Sequence, residues 1–324
     1  MKRIFAEWEK QSSLLLVLPH EKTDWTPYLD EILSAYKEFI KKASMYEHCT
    51  VLCADKQSAE KLLHECDNIT VIQLPTNDTW VRDFGAINAE DEGGIISYDF
   101  IFNAWGGKFD SLLDNTVNKK LLESGHIKGR LISVPMVFEG GSMDNNGAGV
   151  AITTSKCLLD KNRNPHMSKN EIDAKLKELF GLKRIIWLEH GFLKGDDTDS
   201  HVDTLARFIT EDTIAYTTCE DEKDEHFEEL KKMEKQLQST GFKLLPLPLP
   251  KPIFYNNERL PATYANFVFV NGAVLLPTYN DANDARVKEI LSRALPSHEI
   301  IGINAAVFIR QHGSLHCASM NIFE

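Results

Sequence analysis

The sequence predicts a mixed α/β protein. Short apolar runs, several of them rich in β-branched residues, alternate along the chain with segments whose apolar residues recur every three or four positions. Of the 324 residues, 43% are hydrophobic and 26% are charged, as in a globular enzyme. At about 150 residues per domain, this length suits two domains or one larger closed architecture.

The predicted strands are short apolar segments bounded by turn residues. They lie at residues 14–18, 50–53, 70–74, 94–98, 185–188, 213–217, 243–246, 267–270, 273–276 and 299–303. Residues 245–252 alternate leucine with proline, which excludes a helix, and we interpret them as an extended, ordered connection.

Amphipathic patterns between these strands predict helices at residues 30–43, 57–66, 224–239 and 282–294. A further helix should begin after Ser168, because Glu171 completes a capping box. Gly181 then fits the position that follows a helix C-terminus.

The charge of the chain excludes several functions. Its 36 Lys and Arg against 48 Asp and Glu give a net charge of -12 without a basic patch, so neither nucleic acid nor a membrane is an expected partner. The first apolar run is too short for a signal peptide. The six cysteines lack the spacing of a zinc site or a redox dithiol, and we expect a cytoplasmic protein with reduced thiols.

The first segment with candidate site residues is 77–85, which carries Trp80, Arg82 and Asp83 directly after a predicted strand. Folds of the α/β class place ligand-binding loops at such points. The alternative is a structural loop in which Arg82 forms an ion pair with Asp78 or Asp83.

The second segment is 138–147, where Glu139 precedes Gly140 and Gly141. Two glycines after a carboxylate allow the backbone to approach another group closely. The alternative is a hairpin turn, for which the Asn-Gly pair at 146–147 is a strong signal.

The third segment is 195–203. Asp197, Asp199, His201 and Asp203 alternate in it and would project from one face of an extended strand. Three carboxylates beside an imidazole require a positive partner, which is either a divalent metal ion or a cationic substrate. A polar loop is the structural alternative.

The fourth segment is 311–320, where His316 precedes Cys317. Adjacent residues of a strand point to opposite faces, so we expect a distant histidine, and not His316, to act with Cys317. The alternative is a buried, inert thiol.

Taken in this order, the four segments resemble the agmatine deiminase family, which is related to the microbial peptidylarginine deiminases within the guanidino-modifying (pentein) superfamily. The similarity also includes Ala-Glu-Trp-Glu at 6–9, Leu-Pro-His at 18–20 and residues 260–267. It implies an α/β fold, a five-bladed pseudo-fivefold α/β propeller of ββαβ modules of about 65 residues each. It also implies one catalytic domain over residues 1–324.

The resemblance implies a role for each matching residue. Cys317 corresponds to the nucleophile and His201 to the general acid and base. Asp83 and Asp203 correspond to the carboxylates that bind the guanidinium, Glu139 to the carboxylate that interacts with His201, and Trp80 to a wall of the substrate channel.

These roles agree with guanidinium chemistry. A planar guanidinium offers several N–H donors to carboxylates, which hold it and keep it protonated for attack by a thiolate. We expect raised carboxylate pKa values in the empty site, because three acids lie together. No metal and no cofactor are predicted.

The implied reaction is the deimination of agmatine to N-carbamoylputrescine and ammonia through a covalent thiouronium on cysteine, within putrescine and polyamine biosynthesis. The expected partner is a small cationic guanidino substrate, with a homodimer as one candidate assembly. Free arginine or another guanidino compound is the alternative substrate. Arginine would require a cation for its carboxylate, for which Arg82, Arg207 and Arg310 are candidates.

Two other classes of protein stay open. A metal-dependent hydrolase would use Asp197, Asp199, His201 and Asp203 as ligands. A protein that only binds cations would keep the acidic pocket but would not need a thiol and an imidazole.

The chain departs from the family pattern near its reactive residues. The glycine that commonly precedes the histidine is Ser200, the Gly-Pro that commonly follows Arg-Asp is Phe84-Gly85, and the glycine-rich loop before the cysteine is replaced by residues 311–316.

Overall fold

The computed structural model describes residues 2–323, which form a mixed α/β fold. Over that part of the chain, the helices are all too short or too polar to cross a membrane.

The strands are mostly three to eight residues long. They are β1 (Arg3–Ile4), β2 (Ser13–Val17), β3 (His48–Cys53), β4 (Ile69–Gln73), β5 (Ile87–Asp91), β6 (Gly94–Ile101), β7 (Arg130–Val137), β8 (Met143–Asn145), β9 (Val150–Thr154), β10 (Arg184–Leu188), β11 (Ala206–Thr210), β12 (Thr213–Thr218), β13 (Lys243–Pro248), β14 (Phe254–Tyr255), β15 (Glu258–Arg259), β16 (Val268–Val270), β17 (Ala273–Thr278), β18 (Glu299–Asn304) and β19 (Ser319–Ile322).

The helices alternate with these strands. They are α1 (Leu29–Ala43), α2 (Lys56–Leu62), α3 (Val81–Phe84), α4 (Ala104–Gly107), α5 (Val117–Glu123), α6 (Ser155–Leu158), α7 (Lys169–Phe180), α8 (Phe227–Gln238) and α9 (Ala282–Ala294). Short 3-10 turns at Gly140–Ser142, Val202–Thr204 and Phe308–Gln311 carry or precede candidate site residues.

Five sheets of three or four strands share a three-stranded unit. Their strand orders are β19-β2-β3-β4, β1-β5-β6-β7, β10-β9-β8, β11-β12-β13 and β16-β17-β18. Each sheet contains an antiparallel pair that is extended by a parallel strand, as in the antiparallel β11-β12 pair and the parallel β12-β13 pair. Over residues 2–323 the sheets remain separate and none closes on itself.

Each predicted strand and helix is present, with ends that differ by a few residues. Helix α7 begins with the Ser168–Glu171 capping box and ends at Gly181, whose φ of +67° is left-handed. The proline-rich segment is ordered, because β13 pairs in parallel with β12 and buries Leu247. The Asn-Gly pair forms the β8–β9 hairpin.

Segments next to the ends of strands position the site. Strand β2 is buried along its whole length between β19 and β3, which gives a rigid support for the chain on either side of it. α3 follows β4, the Gly140–Ser142 turn follows β7, and residues 312–318 precede β19.

Candidate active site

The structure brings five predicted residues into one buried cluster. Asp83 lies on α3, Glu139 precedes the Gly140–Ser142 turn, His201 and Asp203 flank the start of the next 3-10 turn, and Cys317 precedes β19; each side chain is buried. The residues come from positions far apart in the sequence, so the fold, and not local chain geometry, creates the cluster.

Glu139 and Arg163 hold one side of the His201 ring. Nε2 of His201 lies 3.3 Å from Oε2 of Glu139, and Nε of Arg163 donates to the same carboxylate at 2.8 Å. Burial would raise the pKa of Glu139, but the attraction of His201 and Arg163 lowers it. Glu139 is therefore an ionised acceptor beneath the imidazole, as the sequence analysis predicted for their contact.

The other ring nitrogen faces the reactive centre. Nδ1 of His201 makes no hydrogen bond to any residue in 2–323 and lies 3.6 Å from Oδ1 of Asp83. Burial alone would lower the pKa of His201, but the charge of Asp83 and the contacts with Cys157 and Glu139 raise it well above its usual value. An imidazolium with one unengaged N–H can donate a proton to a bound molecule.

Asp83 is held by neutral donors. Its Oδ1 accepts from the Gly141 N–H at 3.0 Å and its Oδ2 from Nε1 of Trp105 at 2.9 Å. Burial is the largest effect and raises the pKa of Asp83, and repulsion from Asp203 and Glu139 raises it further. The charge of His201 lowers this pKa, and the net result is a value of about 6. Near neutral pH, an arriving cation would therefore complete its ionisation.

Asp203 has a different environment. Its Oδ2 lies 2.7 Å from Nδ1 of His316 and accepts from Sγ of Cys317 at 3.7 Å, whereas Oδ1 has no partner within residues 2–323. Burial would raise the pKa of Asp203, but His316, His201 and Arg207 lower it. The expectation of raised carboxylate pKa values therefore holds for Asp83 and is wrong for Asp203, because a histidine lies against it.

Glycines allow this close packing. A Cβ on Gly141 would lie 2.6 Å from Nδ1 of His201 and 3.0 Å from both Asp203 Oδ2 and Asp83 Oδ1. A Cβ on Gly140 would lie 2.2 Å from the Arg82 carbonyl oxygen. The two glycines thus permit the close backbone approach that their position after Glu139 suggested.

Cys317 is a protonated thiol in the empty site. Burial, followed by the charges of Asp203 and Asp83, raises its pKa well above the ordinary value. Its backbone N–H donates to Oδ1 of Asn266 at 3.3 Å, which fixes the loop. A cation beside the thiol would reverse the electrostatic effect and favour the thiolate.

An acidic and aromatic mouth leads from Cys317 and Asp83 to the surface. Its other lining residues are Asp24, Trp25, Asp78, Trp80, Trp105, Phe109, Asp197, Thr198, Gln311, His312 and Gly313. Trp80 lies in this wall, as predicted, and a Cβ on Gly313 would come within 2.4 Å of its ring. Burial, together with repulsion from Asp114 and Asp24, raises the pKa of Asp78 to about 7.

Residues 195–203 do not form an extended strand, which corrects the prediction that four side chains share one face. Asp199 and Ser200 adopt left-handed φ values of +65° and +69°, so the alternation is lost. Asp199 instead forms ion pairs with Arg163 at 2.9 Å and with Lys108 at 3.2 Å. Two basic side chains of the protein, Arg163 and Lys108, thus neutralise the charge of Asp199.

The proposed metal ligands do not converge either. Within residues 2–323, the histidine, cysteine and acidic ligand atoms that come close enough to share an ion, within 4.8 Å of one another, belong to Glu139, Cys157 and His201. Arg163 occupies both oxygens of Glu139, at 3.0 and 2.8 Å. A guanidinium at that carboxylate opposes a metal cation, so this donor set does not fit one.

The candidate arginines have structural partners. Arg82 does not form an ion pair with Asp78 or Asp83, since it donates to the His316 carbonyl oxygen at 3.2 Å and to Oδ1 of Asn321 at 2.6 Å. Arg207 forms buried ion pairs with Glu7 and Asp144, and Arg310 pairs with Glu31 at 3.0 Å.

Sequence reasoning missed three residues that shape the site. Arg163 carried no signal, because it lies in a polar loop that resembles a surface turn. Trp105 donates to Asp83 from a segment that showed no motif. His316 was considered only as a partner of Cys317, although its two ring nitrogens contact Asp203 and Glu7.

The comparisons with known proteins agree over almost the whole chain. The profile of the Porphyromonas-type peptidyl-arginine deiminase family matches residues 3–322. An agmatine deiminase of Pseudomonas aeruginosa is 31% identical, with 97% of this chain and 94% of the relative covered.

Solved structures are also similar. A C. jejuni agmatine deiminase, a cysteine-to-serine variant with substrate bound, is 53% identical, with a TM-score of 0.98 over 100% of this chain and 97% of that one. The agmatine deiminase of Enterococcus faecalis is 27% identical, with a TM-score of 0.88 over 99% and 95% of the two chains. An amidinotransferase from Microseira wollei shares the fold, at 14% identity and a TM-score of 0.57 over 99% and 96%.

Proposed function

The chain belongs to the Porphyromonas-type peptidyl-arginine deiminase family, and from this membership we propose that it hydrolyses agmatine to N-carbamoylputrescine and ammonia. The similar proteins named agmatine deiminase support this activity, as does the C. jejuni structure with substrate bound. The product places the reaction in putrescine and polyamine biosynthesis.

The charge of the mouth is the observation that favours agmatine over arginine. Asp24, Asp78 and Asp197 line it, and its described lining residues include neither lysine nor arginine. Agmatine carries an ammonium at the end of a four-carbon chain, whereas arginine also carries a carboxylate there. Acidic side chains attract the first and repel the second.

Asp83 and Asp203 are proposed to hold the guanidinium in the buried cluster. Bidentate contacts from carboxylates fix its plane and keep it protonated. This cation lowers the pKa of the nearby Cys317 thiol, whose proton leaves through the mouth to solvent. The resulting thiolate attacks the central carbon of the guanidinium and forms a neutral tetrahedral adduct.

His201 is proposed to move the remaining protons, oriented by Glu139. As an imidazolium it protonates one amino group of the adduct, the C–N bond breaks, and ammonia leaves a thiouronium cation on Cys317. The neutral imidazole then takes a proton from water, whose oxygen attacks the same carbon. The C–S bond breaks, the hydroxyl proton passes to the departing sulfur, and the ureido product is released with the thiol restored.

The five sheets are proposed to be the blades of one α/β propeller around a pseudo-fivefold axis, as a single catalytic domain of residues 1–324. Their shared three-stranded unit supports this arrangement, as does the similarity to agmatine deiminase structures over the whole chain.

The six cysteines form no disulfide within the described residues, which suits a reducing compartment such as the cytoplasm.

The test is ammonia and ureido product formed from agmatine, with arginine in parallel, in chelator-treated protein. We expect turnover of agmatine that Cys317→Ser abolishes and chelation does not affect. Cys219→Ser is the matched control, because Cys219 is only half-buried and its Sγ contacts a backbone oxygen at 3.5 Å. Faster turnover of arginine, or activity that survives Cys317→Ser, would contradict the proposal.

A further inference from the structure

His316 lies directly behind the guanidinium site and is bound on both sides of its ring. Nδ1 is 2.7 Å from Oδ2 of Asp203, and Nε2 is 2.8 Å from Oε2 of Glu7. The residue is 2% exposed, so solvent does not compete for either nitrogen.

Both acceptors are carboxylates that the surrounding structure keeps ionised. Burial would raise the pKa of Glu7, but Arg207 and His316 hold it far below its usual range. The other oxygen of Glu7 accepts the Phe269 N–H at 2.9 Å. Because an ionised carboxylate can only accept, each ring nitrogen of His316 is placed to donate an N–H to one of them.

Several charged or titratable groups surround the His316 ring and its partner Asp203. From the other elements packed here they are Glu7, Arg82, Asp83, Asp144, His201, Arg207 and Cys317. Arg207 forms buried ion pairs with both Glu7 and Asp144. Nε of Arg82 donates to the His316 carbonyl oxygen at 3.2 Å. The ring thus joins a fixed network of buried ion pairs through Glu7.

We infer that His316 is a positioning residue that keeps Asp203 ionised and oriented, so that substrate meets one permanent carboxylate and one, Asp83, whose ionisation the arriving cation completes. This inference deepens the proposed function and rests on it. Asp83 has only neutral donors, Trp105 and the Gly141 N–H, within hydrogen-bond distance of its oxygens. The two halves of the clamp therefore differ in their resting charge below about pH 6.

The inference predicts how many protons binding releases. Asp83 has a pKa of about 6, so below that pH it is mostly protonated in the empty site and loses its proton when a guanidinium binds. Asp203, with a lowered pKa, has no proton to lose. Near pH 5.5 the release from the two aspartates should therefore not exceed one proton.

The experiment is calorimetric titration of Cys317→Ser with agmatine at pH 5.5 and 8, in buffers of different ionisation heat. In the Cys317→Ser background, His316→Asn removes the ring that contacts both Asp203 and Glu7, while its amide can still donate to Asp203. Burial raises the pKa of Asp203 once the contact with His316 no longer lowers it, so we expect the release at pH 5.5 to increase towards two protons. In the enzyme with Cys317 intact, the acid limb of kcat/KM should shift upwards by about one pH unit. His64→Asn, at an exposed histidine, is the matched control.

Wild-type proton release and an unshifted acid limb in His316→Asn would overturn the inference. If that variant does not fold, Glu7→Gln removes the second carboxylate from the ring and should increase the release in the same direction. The Cys317→Ser protein itself gives a further test, because a release of two protons from the unaltered clamp would contradict a permanently ionised Asp203.

A second probe separates this inference from the proposed substrate. Methylguanidinium carries only the group that the two aspartates would hold. If agmatine is not turned over but methylguanidinium binds with release of at most one proton, the substrate assignment fails and the role of His316 stands. If agmatine is turned over and the proton release is unaffected by His316→Asn and by Glu7→Gln, the substrate assignment stands and the role of His316 fails.

Discussion

Two loops bring a histidine to the same cluster, and they treat the imidazole differently. In the loop of residues 195–203, His201 has one nitrogen against Glu139 and one that makes no hydrogen bond within residues 2–323. In the loop of residues 311–317, both nitrogens of His316 face carboxylates. A proton can be exchanged with a substrate only at a nitrogen that the protein leaves unengaged, so the first ring suits reaction and the second suits support.

The arginine contacts that support the two histidines also differ. Arg163 connects Glu139 to Asp199 and to the Thr198 carbonyl oxygen, so it orients the acceptor beneath His201 without touching the ring. In the other loop, Arg207 and His316 share Glu7, and the charges form one continuous network. His201 is therefore held at one ring nitrogen, by Glu139, whereas His316 is held at both, by Asp203 and Glu7.

Replacing each histidine in turn gives the largest expected contrast. His201→Gln removes the proton donor and base, so kcat for agmatine should fall by about 10²- to 10⁴-fold at every pH. His316→Asn should keep most of its activity at pH 8 and lose it only in acid. The measurement is the steady-state pH profile of both variants. Equal, pH-independent losses would show that the two rings do not differ in role.

Gly141 tests how closely the Gly140–Ser142 turn must approach His201 and the two aspartates. Gly141→Ala places a Cβ 2.6 Å from the unengaged nitrogen of His201 and 3.0 Å from Asp203 and Asp83, and such contacts cannot be accommodated without movement. Displacement of reacting groups by about 1 Å costs about 100-fold in rate, so we expect a kcat loss of that size.

The control for this variant is Gly93→Ala. Gly93 lies in an exposed turn, where its Cβ would come no closer than 3.2 Å to another atom, the Asp91 carboxylate oxygen. Both proteins are first compared by thermal unfolding. Wild-type turnover in a folded Gly141→Ala protein would mean that the cluster rearranges before it reacts.

Apolar patterns allowed much of the fold to be predicted, since repeating side-chain periods depend on neighbours in the sequence. Strand β11, one of several strands that were not predicted, shows the limit of this approach. Its Arg207 is fully buried because Glu7 and Asp144 reach it from other parts of the chain. A charge inside a strand argues against burial unless such distant partners are known.

The site residues were predicted because their order along the chain resembles a family, and the structure brings them together. Their electrostatics could not be predicted in the same way. Asp83 and Asp203 are the same residue type with opposite pKa shifts, and the difference is the imidazole of His316 against one of them. That contact joins residues 113 positions apart, which no local pattern encodes.

The smallest expected effect concerns backbone strain before His201. Ser200 has a φ of +69°, a left-handed conformation that costs a serine about 1 kcal/mol or more, and the resembling family commonly has glycine there. Ser200→Gly relieves this strain but makes the unfolded chain more flexible, so the unfolding free energy should rise by less than about 1 kcal/mol. Urea denaturation measures the change. Asn257→Gly, at a φ of +65° in the β14–β15 turn, should gain less, because asparagine tolerates this conformation. A larger gain at Asn257 would mean that losing the hydrogen bond that the Ser200 hydroxyl accepts from Lys156 at 3.3 Å, which glycine cannot make, offsets the relieved strain.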